Sequence, residues 1–457
     1  MRHRTRLTCA ALAIGHAFAA TSVLAQSKFG CSGLEANREL PAIEGKGGIF
    51  YRINADIRMN HPFSQTIVNN MAELSRALES RGTTLIFAPI PTKSVSMPDH
   101  LPDEARLYGF DLNVANAVHD DVLKRLTDAG VLTADIRRAL LAADPGQLPF
   151  FNSDFHWSAY GANLGAAAIA DVIKAQPIYD SLPVTRFETE PVAEETAFSG
   201  MRRILQTRCT DTLPEPVSMT WDTQPVSDES GLDIGLDIGL SDNDAAGLDI
   251  FGEATDAIPI ALVGTSFSDS PINNFPNWIA QHASLEVVNF SITGGNQYGA
   301  ITSYLTSTEF QDAPPAFLVW ENPIYNNLAQ YGDQPLRELI AAAANNCPAE
   351  RAITMAKDGM SATADVSGLG ASDTLFLDTD GSAALEVDYT FAAANGGARI
   401  KSLRRGERLR RTGRFYMPMT GLWPDGAQQV RINLSAPFGP DARLYICNPL
   451  PHQEEKS

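Results

Sequence analysis

Residues 259–268 read PIALVGTSFS, an apolar, β-rich segment that runs directly into a turn containing Ser266. Four other segments share this continuous apolar character: Thr83–Ile90 (TTLIFAPI), Val131–Ile136, Leu285–Phe290 (LEVVNF) and Ala316–Glu321 (AFLVWE). Such runs are typical of strands that are buried on both faces of a parallel sheet. Helix-like stretches, among them Gln65–Ser80 and Tyr160–Ala175, lie between them. The pattern predicts an α/β domain over residues 26–345, with a parallel sheet and flanking helices.

Residues 346–457 show a different pattern. Six short alternating segments follow one another there: Asp373–Asp378, Ala384–Phe391, Arg399–Leu403, Arg414–Met419, Gln429–Leu434 and Arg443–Cys447. Turn dipeptides such as Asn395-Gly396 and Asp380-Gly381 separate some of them. Several short strands within about 100 residues indicate a β-sandwich. We therefore predict an all-β sandwich after the α/β domain, with the boundary near Ala343–Pro348.

The N-terminus has the features of a secretory signal peptide. Residues 1–25 contain three arginines within the first six positions, then a run of small and apolar residues, and end in the cleavage pattern Val23-Leu24-Ala25. A retained membrane anchor is the alternative. No later segment approaches the roughly 18 consecutive apolar residues of a membrane span. We therefore expect an exported protein with no membrane span.

The cysteines agree with export. Cys9 would leave with the signal peptide, and four cysteines would remain in an oxidising compartment, which predicts two disulfides. Three pairings are possible. We favour Cys31–Cys209 and Cys347–Cys447, because each bond then closes within one predicted domain. No CxxC motif or Cys/His spacing indicates zinc, and we expect neither a metal nor a cofactor.

The 457-residue chain has 35 basic and 54 acidic side chains and a formal charge of −19, which removal of the signal peptide would lower to −22. This charge argues against binding to nucleic acid or anionic lipid, since both require a basic surface. Nine acidic residues lie in residues 227–256, where no basic residue occurs and the tetrapeptide GLDI appears three times. We interpret this segment as a solvated insert in the α/β domain, with a calcium site using Asp242 and Asp244 as the alternative.

Polar motifs occur where the predicted strands end, and ligands bind at those ends in an open parallel sheet. Ser266, in the turn Gly264–Ser268, lies where a nucleophile is expected. Backbone N–H groups of the turn could stabilise the oxyanion that forms when this serine attacks a carbonyl. The motif Asp154-Phe155-His156-Trp157 offers a histidine and a carboxylate that can fix its tautomer. Each motif also has a simpler interpretation, the serine as a helix N-cap and the histidine as a hydrogen-bonded loop residue.

Two further strand ends complete the set. Gly294-Gly295-Asn296-Gln297 follows LEVVNFS, and its adjacent glycines allow close backbone approach and amide donation to an oxyanion; a flexible turn is the alternative. Trp320-Glu321 and Tyr325 lie at the end of AFLVWE. Together the motifs supply a nucleophile, a base, an orienting carboxylate and oxyanion donors for acyl transfer.

The order of these motifs resembles one enzyme family. DxHW at 154–157, GTSFS at 264–268, GGNQ at 294–297 and then Trp320-Glu321 are similar to the SGNH-hydrolase-like alginate O-acetyltransferases, the AlgX/AlgJ family. Ordinary SGNH esterases have the opposite order, with the serine motif first. An exported two-domain chain with four cysteines resembles the periplasmic members that end in a carbohydrate-binding module. The acidic insert at 227–256 is not part of this resemblance.

The resemblance implies Ser266 as nucleophile, His156 as general base and Asp154 as its orienting group. It also implies four residues at the oxyanion hole or lining the site: Gly295, Asn296, Gln297 and Tyr325. The implied protein is a periplasmic enzyme that acetylates an alginate-like polysaccharide. Its acetyl donor would come from a membrane acetylation system, and it would join periplasmic secretion-complex proteins. A polysaccharide acetylesterase with the same residues and a non-catalytic polysaccharide-binding scaffold are the alternatives.

A separate feature points to the ligand. Residues 399–414 read RIKSLRRGERLRRTGR, with eight basic side chains and one acidic one. Arginine pairs with carboxylates in bidentate fashion, so the stretch is suited to an anionic polysaccharide. A solvated basic hairpin is the alternative. The residues predicted to contact the polymer are Arg399, Lys401, Arg404, Arg405, Arg408 and Trp423.

Overall fold

The computed structural model describes residues 27–58, 63–226 and 258–449. The predicted signal peptide and the acidic insert with its alternative calcium site at Asp242 and Asp244 lie outside the described residues. The α-helices are α1 (Gln65–Glu79), α2 (Lys93–Ser96), α3 (Leu112–Asp128), α4 (Ile136–Leu141), α5 (Ala159–Lys174), α6 (Gly200–Gln206), α7 (Ser266–Asp269), α8 (Phe275–Ala283), α9 (Gly299–Leu305), α10 (Thr308–Asp312) and α11 (Gln334–Ala344).

Along the chain, the strands of the described residues lie before, between and after these helices. They are β1 (Ala42–Glu44), β2 (Phe50–Arg52), β3 (Thr84–Ile90), β4 (Leu132–Thr133), β5 (Phe187–Thr196), β6 (Val217–Pro225), β7 (Ile260–Val263), β8 (Val287–Asn289), β9 (Phe317–Pro323), β10 (Ala349–Arg351), β11 (Ile353–Met355), β12 (Ser361–Asp365), β13 (Thr374–Asp378), β14 (Glu386–Ala392), β15 (Ala398–Arg404), β16 (Arg414–Pro418), β17 (Gln429–Leu434) and β18 (Arg443–Cys447). Short 3₁₀ helices cover Pro98–His100, Asp103–Tyr108, Pro177–Ser181 and Pro271–Asn273, and a π-helical turn covers Ile53–Ile57.

A five-stranded parallel sheet forms the centre of the first part of the chain. Its strand order is β4-β3-β9-β7-β8, and each neighbouring pair is parallel. Alternate residues of the strands enter two separate cores: Ile86 and Leu262 pack on one face with α5, while Phe87 and Trp320 pack on the other with α1 and α11. The predicted parallel sheet with flanking helices is confirmed, and burial on both faces explains the continuous apolar runs.

Helix α5 packs closely because glycine allows its backbone to approach the preceding segment. A Cβ atom on Gly161 would lie 2.1 Å from the carbonyl oxygen of Pro149. The hydroxyl of Ser158 caps the helix by accepting the N–H of Gly161 at 3.2 Å. The segment directly before α5 carries the DxHW motif, so this packing also places His156.

One predicted strand is much shorter than expected. Val131–Ile136 was predicted as a strand, whereas only Leu132–Thr133 pairs with the sheet. Asp135 ends the segment as the N-cap of α4, because its side chain accepts the N–H of Arg138 at 3.0 Å. A capping carboxylate therefore competes with strand extension here.

Two antiparallel sheets form the second part of the chain. Their strand orders are β10-β18-β13-β16 and β11-β12-β17-β14-β15. Their inner faces share one core, in which Leu375 and Ile446 of the first sheet meet Tyr389 and Ile432 of the second. The predicted β-sandwich is confirmed. It also contains β10, β11 and β12, which were not predicted, because β10 and β11 are only three residues long and the buried residues of β12 are alanines.

The sandwich packs against the α/β part through the outer face of its four-stranded sheet. Tyr416 and Phe376 stack there with ring centroids 4.4 Å apart, in the same core as the buried residues of α11. Helix α11 ends at Ala344 and β10 begins at Ala349, so the change of pattern falls in the linker between them. The limits of the two domains remain a prediction.

The structure contains the two disulfides that the sequence analysis favours, Cys31–Cys209 and Cys347–Cys447. None of the helices in the described ranges has the length and apolar character needed to cross a bilayer. Within the same ranges, no group of three or more His, Cys, Asp or Glu side chains is arranged to hold a metal ion.

Candidate active site

Asp154, His156 and Ser266 come together at the carboxyl end of the parallel sheet. The Nε2 atom of His156 lies 2.8 Å from Ser266 Oγ, and its Nδ1 atom lies 2.6 Å from Asp154 Oδ1. The side chain of Asp154 is 5% exposed and that of His156 is 21% exposed. A hydroxyl, an imidazole and a buried carboxylate in this order can act as nucleophile, general base and orienting group.

Local sequence places Ser266 at the turn after β7. Thr265 is the N-cap of α7 and its hydroxyl accepts the N–H of Phe267 at 3.3 Å, so Ser266 is the first residue of the helix. A Cβ atom on Gly264 would lie 2.4 Å from an oxygen of Glu321. Glycine is therefore required at position 264 for the turn to approach this carboxyl group.

Glu321, in β9, is a fully buried carboxyl group that holds the nucleophile turn. It accepts the N–H of Thr265 at 2.7 Å and the hydroxyl of Ser268 at 2.9 Å. Burial raises the pKa of Glu321 to about 7, although these hydrogen bonds act in the opposite direction. The sequence analysis noted Trp320-Glu321 only as a strand end, because the partners of Glu321 are more than 50 positions away in the chain.

We expect Glu321→Gln to make stability less dependent on pH. Because the folded-state pKa of Glu321 is raised, its contribution to stability is complete below its unfolded value of 4.5 and is lost as the pH rises through about 7. Over that interval the free energy of unfolding of the unmodified protein should fall by about 2–3 kcal/mol more than that of the variant. Urea unfolding measured at about pH 5 and about pH 8 tests this. Glu35→Gln, at an exposed position, is the control, and identical pH dependence in all three proteins would contradict the prediction.

A second hydrogen bond to Asp154 comes from Ser199, which the sequence analysis missed. The hydroxyl of Ser199 donates to Asp154 Oδ2 at 2.5 Å and accepts the N–H of Arg202 as the N-cap of α6. Burial alone would raise the pKa of Asp154, but the hydrogen bonds from His156 and Ser199 lower it to about 2. The carboxylate therefore stays ionised at neutral pH. Sequence can indicate a capping serine before α6, but not that α6 lies against Asp154.

Lys93 supports the backbone that carries the DxHW motif. Its buried ammonium group donates to the carbonyl oxygens of Phe151, Asn152 and Asp154 at 2.5, 3.0 and 3.0 Å. Burial lowers the pKa of Lys93 to about 7, and the carboxylates of Asp56 and Asp154 act against this decrease. Lys93 lies directly after the strand TTLIFAPI and its two-residue connection, so its place at a strand end was a signal that could have identified it.

Tyr325 lies beside the triad in a cluster around Arg52. The guanidinium carbon of Arg52 lies 4.3 Å from the ring centroids of both Phe155 and Tyr325, and Arg52 pairs with Asp56 at 3.0 Å. The ring of Phe155 in turn lies 4.0 Å from the imidazole of His156. Burial raises the pKa of Tyr325 to about 12, so its hydroxyl is neutral. Tyr325 was expected at the site from the sequence, whereas Arg52 was not.

One of the backbone amides in the glycine-rich segment after β8 is already hydrogen-bonded. The N–H of Gly295 donates to the carbonyl of Ile292 at 3.0 Å, so this amide is already used within a tight turn. The expected oxyanion role of Gly295 is therefore not supported. The side chain of Gln297 is buried and donates to the carbonyl of Asn327 at 2.9 Å, which ties the segment to the loop after Tyr325. An oxyanion role for the amides of Asn296 and Gln297 remains a prediction.

The residues predicted to bind polysaccharide do not form one surface. Residues 399 and 401 face one side of β15 and residue 404 faces the other, as the alternation of a strand requires. The guanidinium of Arg399 lies 4.8 Å from the ring centroid of Trp423. Lys401 donates to two backbone carbonyls of residues 418 and 420. Its pKa is lowered to about 8, chiefly by burial.

Several arginines of the basic stretch are paired with acidic side chains. Arg404 pairs with Glu386 at 2.8 Å, and Arg405 forms two hydrogen bonds to Glu338. The side chains of Arg405 and Glu338 are only 9% and 4% exposed. The expectation that Arg405 contacts the polymer is wrong, because this guanidinium is buried in an ion pair between the two parts of the chain. Among the residues predicted to bind the polymer, Arg399 and Arg408 are exposed without a carboxylate partner in the described residues, and Arg399 lies beside the half-buried Trp423.

The fold and these side chains together define a class of protein. A parallel sheet with a serine at the turn after an inner strand, and an Asp-x-His motif before a packing helix, is an SGNH-hydrolase-like domain. The family described as "SGNH hydrolase-like domain, acetyltransferase AlgX" matches residues 43–324. The chain belongs to this family.

Named relatives agree with this assignment. The alginate biosynthesis protein AlgX of Pseudomonas putida is 27% identical over 288 residues, which is 62% of this chain and 56% of that protein. The probable alginate O-acetylase AlgJ of Pseudomonas aeruginosa is 28% identical over 267 residues, which is 57% of this chain and 64% of that protein. The matched region thus spans less than two thirds of the length of either relative.

Two solved structures share the fold. The structure of Pseudomonas aeruginosa AlgX superposes with a TM-score of 0.73 over 90% of this chain and 95% of that one, at 20% identity. The O-acetyltransferase domain of Pseudomonas putida AlgJ covers 65% of this chain and 98% of its own, with a TM-score of 0.50 and 20% identity. At this identity the likeness shows the fold alone, but the first match extends through both the α/β part and the sandwich.

Proposed function

We propose that this protein is a periplasmic polysaccharide O-acetyltransferase that moves acetyl groups onto hydroxyls of an anionic exopolysaccharide such as alginate (polymannuronate). The observation that carries the proposal is the hydrogen-bonded series from Asp154 through His156 to Ser266. The names of the relatives, an alginate biosynthesis protein and a probable alginate O-acetylase, support the substrate class. The disulfides and the sequence of residues 1–25 support an exported location.

The first step forms an acetyl-enzyme. His156 Nε2 takes the proton of Ser266 Oγ while this oxygen attacks the acetyl carbonyl carbon of an ester or thioester donor. The N–H of Ser266, at the start of α7, has no partner within the helix and is the proposed donor to the oxyanion. His156 then protonates the leaving group of the donor, and the acetyl group remains on Ser266. Asp154, ionised and hydrogen-bonded to Nδ1, stabilises the imidazolium that forms.

The second step passes the acetyl group to a sugar. A uronate hydroxyl gives its proton to His156 Nε2 and attacks the acetyl carbonyl, and Ser266 Oγ leaves and recovers the proton. Attack by water instead of the sugar would produce free acetate. The rings of Phe155 and Phe267 are apolar neighbours of the base, with centroids 4.0 and 4.9 Å from that of the imidazole. Exclusion of water and positioning of the sugar would favour transfer over hydrolysis.

The proposal assigns separate roles to the two parts of the chain. Residues 26–345 form the acetyltransferase domain, and residues 346–457 form a carbohydrate-binding module that holds the polymer near Ser266 and raises its effective concentration. The acetyl donor is supplied by a membrane acetylation system. Periplasmic proteins of a polysaccharide secretion complex are the proposed partners.

A transfer assay tests the proposed function. The protein is incubated with an acetyl-ester donor and oligomannuronate, and the products are analysed by mass spectrometry. Acetylated oligomannuronate is the expected product. Free acetate alone would indicate a polysaccharide acetylesterase, and binding of oligomannuronate without any acetyl turnover would indicate a non-catalytic scaffold.

We expect the double variant Arg399→Ala, Trp423→Ala to weaken binding of oligomannuronate. The guanidinium of Arg399 can pair with a uronate carboxylate, and it lies over the ring of Trp423, 4.8 Å from its centroid, so that the ring helps to orient it. The dissociation constant should rise by about 10-fold, the equivalent of about 1.4 kcal/mol. Isothermal titration calorimetry measures it. Arg431→Ala, at an exposed position of β17, is the control, and equal affinity of the double variant and this control would contradict the prediction.

A further inference from the structure

The basic stretch contacts the α/β part along much of its length. We call residues 402–412 the docking segment. Its contacts with the α/β part are Gln334 to the Ser402 carbonyl at 2.9 Å, Glu338 to Arg405, Glu309 to Arg410 at 2.9 Å and Thr306 to Thr412 at 2.9 Å. Of the four arginines that were assigned to polymer binding, Arg405 and Arg408 contact the α/β part, whereas Arg399 and Arg404 contact residues of the sandwich.

The tip of the docking segment lies on residues 292–299, which follow β8 and end at the first residue of α9, and which we call the 292–299 loop. A Cβ atom on Gly299 would lie 2.7 Å from a terminal methyl carbon of Leu409. A Cβ atom on Gly294 would lie 3.3–3.6 Å from three atoms of the Arg408 side chain, and Arg408 also donates to the carbonyl of Thr293 at 3.3 Å. Gly299 therefore makes room for Leu409, whereas glycine at position 294 is favoured by its positive φ of 76°.

The opposite side of the same loop contacts the nucleophile turn. The N–H of Ile292 donates to the carbonyl of Gly264 at 3.1 Å, two positions before Ser266. The N–H of Thr293 donates to the carboxylate of Asp269 at 2.8 Å, and Asp269 is the last residue of α7, which begins at Ser266. The 292–299 loop thus lies between the docking segment and the helix that carries the nucleophile.

We infer that Leu409 and Arg408 are positioning residues that hold the 292–299 loop against α7, so that the chemical step at Ser266 depends on the sandwich even for a substrate that does not touch it. The physical basis is preorganisation: a nucleophile on a short helix needs support from surrounding contacts to keep its geometry. A misplacement of about 1 Å can lower a rate by about 100-fold. This inference rests on the proposed function and extends it to the coupling of the two parts.

The test uses p-nitrophenyl acetate, an ester too small to span the two parts of the chain. We expect Leu409→Ala and Arg408→Ala in the full-length protein to lower kcat on this ester by about 10-fold, with KM changed less than about 2-fold. The rate of modification of Ser266 by a sulfonyl fluoride should fall by a similar factor, since both reactions report the nucleophile. Leu409→Met should restore most of the rate, because methionine fills the same space.

Two controls separate positioning from general damage. Leu107→Ala removes a leucine that is 81% exposed, and Arg431→Ala removes an exposed arginine of the sandwich. Circular dichroism verifies that each variant is folded. Unchanged kcat and sulfonyl fluoride labelling in both docking-segment variants, beside an active unmodified protein, would overturn the inference. If the unmodified protein neither turns over the ester nor reacts at Ser266, it is the proposed function that fails.

Discussion

Replacing Ser266 with alanine should abolish acetyl transfer while leaving the fold intact. Without Oγ no acetyl-enzyme forms, and His156 Nε2, 2.8 Å from that atom, has no nucleophile to deprotonate. Loss of the nucleophile of a serine hydrolase can cost roughly 10⁶-fold in kcat, so we expect a decrease of more than about 10⁴-fold. The side chain is only half-buried in the first turn of a short helix, so the melting temperature should change little.

Mass spectrometry of oligomannuronate after incubation with an acetyl-ester donor measures the loss. Ser270→Ala is a matched control, since Ser270 lies just after α7 and forms no side-chain capping bond. A sulfonyl fluoride should label the unmodified protein and the Ser270→Ala variant but not Ser266→Ala. Oligomannuronate binding should be equal in all three. Retained acetylation by Ser266→Ala would remove this serine from the mechanism.

The central residues of the candidate site were predictable because each lies next to a strand or helix that the local sequence indicates. The run PIALVG became β7, and the residue after its turn is Ser266. His156 lies just before the N-cap of α5, in a segment whose small residues indicated close packing. Parallel strands end at the same edge of a sheet, so motifs at several strand ends come together without any knowledge of distant contacts.

The supporting residues were not predictable in the same way. Ser199 reaches Asp154 across 45 positions of sequence, and Lys93 reaches the same segment across about 60. The position of Lys93 after a strand end could have marked it as a site residue, but neither that position nor the helix-capping role of Ser199 indicates which distant residues they contact. Such contacts depend on how helices pack on the sheet rather than on local pattern.

The basic stretch shows the limit of adding charges along a sequence. Residues 399–414 carry an excess of seven positive charges, yet Arg404, Arg405 and Arg410 each meet a carboxylate in the folded chain. Two of those carboxylates come from the α/β part, far away in sequence. Polymer binding by the basic stretch therefore remains a prediction, and the buried ion pair of Arg405 is a contact that a sum of charges along the sequence does not reveal.

Removing the carboxylate at Asp154 should have the second-largest effect. Asp154 Oδ1 accepts both the backbone N–H of His156 at 2.8 Å and its ring Nδ1–H at 2.6 Å, while Oδ2 accepts the hydroxyl of Ser199. Asp154→Ala removes both the charge and the orientation of the imidazole. Loss of the corresponding residue in a serine protease costs roughly 10⁴-fold in kcat, and we expect a loss of about this size.

Asp154→Asn separates the two contributions. Since two donors converge on the Oδ1 position, the amide oxygen should occupy it and the NH2 group should face Ser199, whose hydroxyl can turn to accept. The imidazole then keeps its tautomer and loses only the charge of its partner. We therefore expect a smaller loss of kcat than in Asp154→Ala, because the imidazole keeps its orientation and only the imidazolium of the transition state loses its charged partner. Equal losses in the two variants would show that the charge of Asp154, rather than the orientation it imposes, dominates catalysis. Activity above about a tenth of the unmodified rate in Asp154→Ala would contradict the role of Asp154 altogether.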